Sequence, residues 1–209
     1  MVGGTAGDLE VVLEMPDEPV GLAVICHPHP LYEGSLNNKV VHTLARAWVG
    51  LGCAAVRFNF RGVGKSAGQY DDGEGETLDA LTVIEWARRQ QVAGPFFLGG
   101  FSFGGMIAYR AAQQIKPTAL VLVAPAVGRI PTAGAQPACP WLIVQGDEDE
   151  LVPIDAVLAW LDELDHPPQL AVLESAKHFF HGRLIELRGL VSAFAAPFVS
   201  TEEARKDIA

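Results

Sequence analysis

Short, uninterrupted apolar segments alternate along this chain with segments of helical periodicity. Residues 20–26, 54–58 and 119–124 carry few polar side chains. A strand with one face in water alternates apolar and polar residues, so uninterrupted apolar runs indicate strands buried on both faces. The pattern therefore predicts an α/β fold with a mostly parallel sheet covered by helices on both faces.

The predicted elements extend over most of the chain and form one domain, residues 1–209. Strands are expected at residues 9–15, 20–26, 54–58, 96–101, 119–124, 141–145 and 169–173. Helices are expected at residues 37–51, 76–89, 102–113 and 154–164, and a closing helix from Leu184 to Phe194. Because ligands of parallel sheets bind beyond the carboxyl ends of the strands, the loops that follow strands are where we expect function.

The charge balance argues against several kinds of partner. The chain carries 25 acidic and 15 basic residues, for a formal charge of −10, and such a chain does not attract nucleic-acid phosphates. No apolar run is long enough to cross a bilayer, and the N-terminus shows neither the basic start nor the apolar stretch of a signal peptide. We expect a cytoplasmic protein without membrane contact, a monomer or small homo-oligomer that acts on a small molecule.

The cysteines and the basic loop residues point to no cofactor. Cys26, Cys53 and Cys139 offer neither a disulfide framework nor metal-ligand spacing, so no metal or other cofactor is expected. Arg61 and Lys65 lie in a glycine-rich loop and could bind an acidic group of a substrate. Pairing with the chain's many acids is the interpretation we favour for them.

A glycine-rich pentapeptide, Gly100-Phe101-Ser102-Phe103-Gly104, lies where a predicted strand turns into a predicted helix. Such a turn strains the backbone of the serine and holds its hydroxyl clear of the sheet, which suits a nucleophile. The flanking glycines let neighbouring backbone approach closely. The same residues also fit a turn in which Ser102 only caps the helix, so the motif alone leaves both interpretations open.

Two further loops carry the groups that an activated serine needs. The strand at residues 141–145 runs into four consecutive acids, residues 147–150, and the strand at residues 169–173 is followed by His178 and His181. One carboxylate at the carboxyl edge of the sheet can orient a histidine, and the histidine can then reach the serine. Charge alone does not select the acid, and the two histidines compete. The order serine, acid, histidine, each after a different strand, argues against a noncatalytic serine.

These residues resemble those of the α/β-hydrolase superfamily over nearly the full length of the chain. More narrowly, the chain resembles the small lidless bacterial hydrolases related to the dienelactone hydrolases. The likeness is carried by residues 27–30, 38–41, 57–64, 100–104, 146–149, 152–153 and 178–180. The resemblance implies a sheet of up to eight strands whose second strand is antiparallel. Since about seven candidates are present, one edge strand is expected to be either missing or not recognisable from the sequence.

The resemblance also selects the site residues. The family pattern places the acid three residues after the glycine and three before a Val-Pro pair, which is Asp149 here. It places the base directly before a Phe-Phe pair, which is His178. With Ser102 as the nucleophile, the resemblance implies a Ser102–His178–Asp149 catalytic triad.

Two backbone amides are expected to stabilise the oxyanion of the intermediate. One belongs to Phe103, the residue after the nucleophile, and the other to the loop after the strand at residues 20–26. The two prolines of that loop have no N–H and are excluded. The amides that remain are those of His29, Leu31 and Tyr32. We favour Leu31, and we expect His27 and His29 to fix the loop rather than take part in the chemistry.

The gap at residues 125–140 is too short for the helical lid that many relatives insert there, so Ser102 is expected to be open to solvent. The implied function is that of a carboxylesterase-like serine hydrolase. It would cleave a small carboxylic ester or thioester through an acyl-enzyme. The same site could serve an amide, peptide or lactone bond. The alternative from another class is a noncatalytic hydrolase-fold protein that binds a small ligand.

Overall fold

The computed structural model describes residues 1–199, so residues 200–209 of the predicted domain lie outside it. The strands are β1 (Val2–Gly4), β2 (Gly7–Leu9), β3 (Val11–Glu14), β4 (Leu22–Cys26), β5 (Ala54–Phe58), β6 (Phe96–Phe101), β7 (Ala119–Val123), β8 (Trp141–Gly146) and β9 (Gln169–Leu173). The α-helices are α1 (Lys39–Gly50), α2 (Glu74–Arg88), α3 (Phe103–Ile115), α4 (Ile154–Asp162) and α5 (Leu184–Val199). Short 3₁₀ turns lie at Pro30–Tyr32 and Val127–Arg129.

A seven-stranded sheet organises the molecule, in the order β3-β5-β4-β6-β7-β8-β9. Every neighbouring pair is parallel except β3 and β5, which are antiparallel at one edge. The strands β1 and β2 pair with each other in a separate hairpin. Among the described residues, the sheet therefore has one strand fewer than the eight of the family pattern, and its antiparallel strand forms the edge.

Helices cover both faces of the sheet. The α1 and α5 helices pack together on one face, while α2, α3 and α4 cover the other. Because successive strand residues point to opposite faces, Val24 of β4 joins the core under α2 and α3, and Ile25 joins the core under α1 and α5. This two-sided burial is the physical reason for the uninterrupted apolar strands.

Two of the differences from the predicted boundaries have local reasons. The predicted strand at residues 9–15 is split, since Leu9 ends β2 and the sheet strand β3 begins at Val11. The predicted helix at residues 76–89 begins two residues earlier, at Glu74. The Glu76 carboxylate accepts hydrogen bonds from the amides of Asp71 at 2.9 Å and Gly73 at 2.8 Å, which closes the first turn.

The connection between β7 and β8 is short. Across residues 124–140, all of which are described, the regular structure consists of the 3₁₀ turn at Val127–Arg129. Residues 124–140 therefore contain no α-helix that could cover the carboxyl edge of the sheet.

Among residues 1–199, no helix combines the length and apolar character needed to span a bilayer. In the same range, no group of three or more His, Cys, Asp or Glu side chains is arranged to hold a metal ion.

Candidate active site

Three side chains from three loops form a hydrogen-bonded chain at the carboxyl edge of the sheet. The Oγ atom of Ser102 lies 3.0 Å from Nε2 of His178. The Nδ1 atom of His178 lies 2.8 Å from Oδ2 of Asp149. The structure thus brings together the serine, the acid and the histidine that the family resemblance selects, although they are far apart in the chain.

The chemistry of the partners sets the tautomer of His178. A carboxylate can only accept hydrogen bonds, so Nδ1 carries the hydrogen that faces Asp149. In the neutral imidazole, Nε2 then has a free lone pair directed at the Ser102 hydroxyl. This is the arrangement in which a histidine can take a proton from a serine.

The strained elbow predicted around Ser102 is present. Ser102 has φ 56° and ψ −118° between the end of β6 and the start of α3. A Cβ at Gly100 would lie 2.1 Å from the carbonyl oxygen of Gly104, and a Cβ at Gly104 would lie 2.3 Å from that of His27. Only glycine fits either position, because α3 begins so close to β6 and to the loop after β4. The glycines thereby allow the serine to stand at the tip of the turn.

Asp149 is held on every side. Its Oδ1 accepts hydrogen bonds from the amides of Leu151 at 2.9 Å and Val152 at 2.7 Å. Its Oδ2 accepts one from Nε2 of Gln145 at 3.0 Å. Burial by itself raises the pKa of this carboxyl, but the hydrogen bonds and charge of His178 and the two amides outweigh it and lower the pKa overall. Asp149 is therefore kept as a carboxylate facing the imidazole.

The other histidines have different surroundings. His27 is fully buried, with Nδ1 donating to the Pro28 carbonyl at 2.6 Å and Nε2 accepting from the Phe60 amide at 3.0 Å. Burial lowers its pKa to about 3, so it is neutral and fixes the loop after β4. His181 is exposed and lies 2.7 Å from Nζ of Lys39, whereas Ser102 is hydrogen-bonded to His178. Of the two competing histidines, the structure places His178 at Ser102.

The amide of Leu31 is already used inside its own loop. It donates to Nδ1 of His29 at 3.2 Å, and the Leu31 side chain is 65% exposed. The amide of Tyr32 donates to the His29 carbonyl at 3.1 Å. The amides of His29 and Phe103 have no hydrogen-bond partner among residues 1–199. Of the three alternatives for the second oxyanion donor, His29 is therefore the residue with a free amide.

A cavity of about 380 Å³ opens beside the serine. It is mostly apolar, and Ser102 and His178 lie in its wall. Its remaining lining residues are Pro28, His29, Tyr32, Asn38, Phe103, Ala126, Arg129, Leu151, Val152 and Phe179. Leu31 does not contribute to this wall, whereas His29 and Phe103 do. The cavity is large enough for a small ligand.

Several residues around the site escaped the sequence analysis. Gln145 is the second-to-last residue of the buried strand β8 and looks like an ordinary core position, and only its hydrogen bond to Asp149 reveals a role. Arg129 comes from the short segment between β7 and β8 and lines the cavity. The basic residues considered from sequence lie elsewhere, since Arg61 forms a buried ion pair with Asp79 at 2.8 Å. Lys65 is exposed, and its amide donates to Glu10.

The chain is similar in sequence and in fold to several known proteins. The family model described as X-Pro dipeptidyl-peptidase (S15 family) matches residues 6–133. An α/β serine hydrolase homologue from Coxiella burnetii is 48% identical, over 91% of this chain and 93% of that chain, with a TM-score of 0.87. A lidless α/β serine hydrolase from Xanthomonas campestris is 40% identical, over 96% of this chain and 94% of that chain, with a TM-score of 0.91. An uncharacterized protein of Rickettsia prowazekii (strain Madrid E) is 32% identical over 191 residues, 86% of this chain and 79% of the relative.

These findings confirm the predicted α/β-hydrolase fold. The likeness to dienelactone hydrolases holds for the fold, since one from Anabaena variabilis has a TM-score of 0.79 at 19% identity, over 94% of this chain and 95% of that chain. The family model covers Ser102 and ends before Asp149 and His178. The roles of the acid and the base therefore stay predictions that rest on the geometry of this chain.

Proposed function

The chain belongs to the S15 family of α/β serine hydrolases, and we propose that it cleaves a small carboxylic ester or thioester through an acyl-enzyme on Ser102. The observation that carries the proposal is the continuous hydrogen-bonded chain from the Ser102 hydroxyl through His178 to Asp149. Serine is a weak nucleophile near neutral pH, and a base in this position is what activates it.

Acylation would begin with attack of Ser102 Oγ on the acyl carbon. Nε2 of His178 takes the hydroxyl proton as the new C–O bond forms. Asp149 stabilises the resulting imidazolium through Nδ1. As the tetrahedral intermediate collapses, the bond to the alcohol or thiol breaks, and the leaving group receives the proton from His178. The product is an acyl ester of Ser102.

Deacylation would use the same groups with water in place of Ser102. His178 takes a proton from the water as it attacks the acyl carbon, and Asp149 again stabilises the imidazolium. When the second intermediate collapses, the Ser102 oxygen leaves and recovers the proton from His178. The carboxylic acid is released and the enzyme is restored.

The negative oxygen of each intermediate needs two preorganised donors. We assign these to the amides of Phe103 and His29, with His29 replacing Leu31. Support comes from the cavity wall, to which both Phe103 and His29 contribute, and from the Leu31 amide's bond to the His29 ring. A donor that is free in the resting state needs no reorganisation when the charge develops.

A fluorophosphonate probe together with p-nitrophenyl acetate tests the proposal. The probe should label wild-type protein at Ser102, and Ser102→Ala should abolish both labelling and ester turnover with a nearly unchanged melting temperature. Ser192→Ala, which removes a serine hydroxyl from α5, is the control and should behave as wild type. If the probe does not label Ser102 of the wild-type protein, and the protein turns over none of a panel of esters and thioesters, the noncatalytic ligand-binding alternative would be favoured.

The family description gives a second candidate, cleavage of a peptide bond in an X-Pro dipeptide context. A dipeptidyl-peptidase must also hold the free ammonium of its substrate, for which a carboxylate is the usual partner. Among the described residues that line the cavity, none is acidic, and Arg129 is the one arginine or lysine. We therefore favour the ester. Alanyl-prolyl-p-nitroanilide decides between them, because turnover of this amide above that of p-nitrophenyl acetate would reverse the preference.

A further inference from the structure

We propose that Tyr70, Asp72 and Arg129 are positioning residues that hold both backbone donors of the oxyanion hole. The inference rests on the proposed function and adds to it three residues from two loops that the catalytic chain does not use. Together with His29 they form one hydrogen-bonded group, here called the Tyr70 network. Tyr70 and Asp72 do not line the cavity, so any effect they have on the rate acts through its wall.

The hydrogen bonds of the Tyr70 network run in one consistent direction. Since the Leu31 amide donates to Nδ1 of His29, that nitrogen carries no hydrogen, and Nε2–H of the neutral ring donates to Tyr70 Oη at 3.2 Å. The Tyr70 hydroxyl in turn donates to Oδ1 of Asp72 at 3.0 Å. Each donor therefore meets an acceptor, and the tyrosine hydroxyl is the central group.

Arg129 closes the Tyr70 network from a third segment of the chain. Its Nη1 donates to the Tyr70 hydroxyl at 3.2 Å, and its Nη2 donates to the Asp72 carbonyl at 3.3 Å. The same guanidinium pairs with the Asp72 carboxylate. Arg129 comes from the turn between β7 and β8, Tyr70 and Asp72 come from the loop after β5, and His29 comes from the loop after β4. The network ties these three loops together at the rim of the cavity.

The Tyr70 network also encloses the side chain of Phe103. The Phe103 ring is 1% exposed, and its centroid lies 4.8 Å from that of His29 and 6.0 Å from that of Tyr70. The guanidinium carbon of Arg129 lies 5.6 Å from the same ring centroid. One set of side chains thus fixes the ring of Phe103 and the ring of His29, the two residues whose amides are free at the serine.

Through these contacts the Tyr70 network would orient the oxyanion donors, which is a role beyond packing. Oxyanion donors are effective only when they point at the place where charge develops, and removing one donor costs about 10²- to 10³-fold in kcat. Releasing the His29 ring leaves its amide present but free to turn, so a smaller loss of about tenfold is expected. The loss should fall on the transition state, with little change in KM.

Tyr70→Phe is the first test, because it removes the central hydroxyl and keeps the ring against Phe103. We expect kcat for p-nitrophenyl acetate to fall about tenfold at nearly constant KM. The inhibition constant of a trifluoromethyl ketone should rise by a similar factor. Ser102 adds to this ketone to give a hemiketal whose oxygen occupies the oxyanion hole, so its affinity reports on the donors directly.

Tyr109→Phe is the matched control. Tyr109 is buried on α3 and packs against Trp141 and Trp160, with ring centroids 5.7 Å and 5.8 Å away. Losing its hydroxyl should lower the melting temperature without altering kcat or the inhibition constant. If Tyr70→Phe behaves like Tyr109→Phe, the positioning role is wrong while the proposed hydrolase function stands.

Asp72 gives a second, independent test, because its side chain is 82% exposed. Asp72→Asn keeps an oxygen that accepts from Tyr70 and should retain most of the wild-type kcat. Asp72→Gly removes the acceptor while fitting the backbone φ of 49°, and it should lower kcat several-fold. Equal rates for the two variants would overturn the inference. A wild-type protein that neither turns over esters nor reacts with a fluorophosphonate would overturn the proposed function and this inference together.

Discussion

His27 and His178 lie in two loops at the same edge of the sheet and differ in what their ring nitrogens meet. Both side chains are buried, with relative exposures of 0% and 2%, and both rings are bonded through both nitrogens. His27 lies between the Pro28 carbonyl and the Phe60 amide. His178 lies between the Asp149 carboxylate and the Ser102 hydroxyl.

The difference teaches that partners, more than burial, make an imidazole useful as a base. The backbone groups around His27 cannot give up a proton, and the hydrogen bond to the Pro28 carbonyl offsets only part of the cost of burying a charged ring, so burial lowers the His27 pKa to about 3. Asp149 faces His178 with a carboxylate that stabilises the imidazolium, and Ser102 offers a proton to take. One histidine builds the loop after β4, and the other can move a proton.

Replacing His178 should produce the largest effect and is the most direct way to break this comparison. His178→Ala removes the base while leaving Ser102 and the oxyanion donors in place, so kcat/KM for p-nitrophenyl acetate should fall about 10⁴-fold. Steady-state kinetics measure the loss, and circular dichroism at rising temperature checks that the fold persists. A loss of less than about tenfold would mean that another group takes the serine proton.

The next prediction concerns stability and sharpens the role of His27. Its pKa is about 3 in the folded protein against an ordinary value of 6.5, so between these values the unfolded chain binds a proton that the folded protein does not. The contribution of the neutral His27 ring to the free energy of unfolding is therefore fully present above pH 6.5. It is lost as the pH falls toward 3, by up to about 1.4 kcal/mol per pH unit. Urea unfolding at pH 6.5, 5.5 and 4.5 should therefore show a steeper fall for wild type than for His27→Gln.

The same experiment carries its own check. Asp149, whose pKa is lowered, contributes stability that is lost only at lower pH, below the ordinary range of a carboxyl. His29 and His42 also have lowered pKa values, through burial first, and they contribute equally to both proteins. Parallel slopes for wild type and His27→Gln would show that the His27 ring is charged in the folded state.

Gln145→Met should have a smaller effect, on the acid side of the comparison. The amide nitrogen of Gln145 donates to Oδ2 of Asp149 at 3.0 Å and to the Val152 carbonyl at 2.8 Å. Without these bonds the carboxylate can turn away from His178, and we expect kcat to fall about tenfold. Stability should change little, because Oε1 of Gln145 is buried without a partner among residues 1–199, and the variant removes this unpaired acceptor.

The matched control for that variant is Gln113→Met. Gln113 lies near the end of α3 that is farther from Ser102, and its side-chain amide donates a hydrogen bond to the Ala135 carbonyl. Kinetics on both variants should separate a bond to the acid from a bond that only joins two surface segments. Equal activity of the two variants would show that Gln145 is not needed to hold the Asp149 carboxylate toward His178.

The fold was predictable from sequence where burial dictates the pattern. The apolar segment at residues 54–58 matches β5, which is buried throughout, and the chain order of serine, acid and histidine led to side chains that meet at one edge. The β1–β2 hairpin was missed, because strands of three residues, half of them glycine, are too short to carry a periodic signal.

The second oxyanion donor was less predictable for a different reason. Excluding the prolines left three amides, and the choice between them depends on a hydrogen bond from the Leu31 amide to the ring of His29. Gln145 and the Tyr70 network act through contacts between segments that are distant in the chain. Such side-chain contacts leave no mark on local composition or spacing, so they could be found only from the structure.

His181→Ala should have the smallest effect and completes the comparison within a single loop. His181 follows His178 by three residues but is exposed, and both of its ring nitrogens lie within 2.9 Å of Nζ of Lys39. An exposed contact of this kind contributes little free energy, so we expect kcat/KM to change by less than about twofold and the melting temperature to stay nearly the same. Measured beside His178→Ala, this variant tests whether position in the loop or the bond to Ser102 matters. A comparable loss in both variants would mean that the loop as a whole supports activity, and that the bond between Nε2 of His178 and Ser102 does not single out the base.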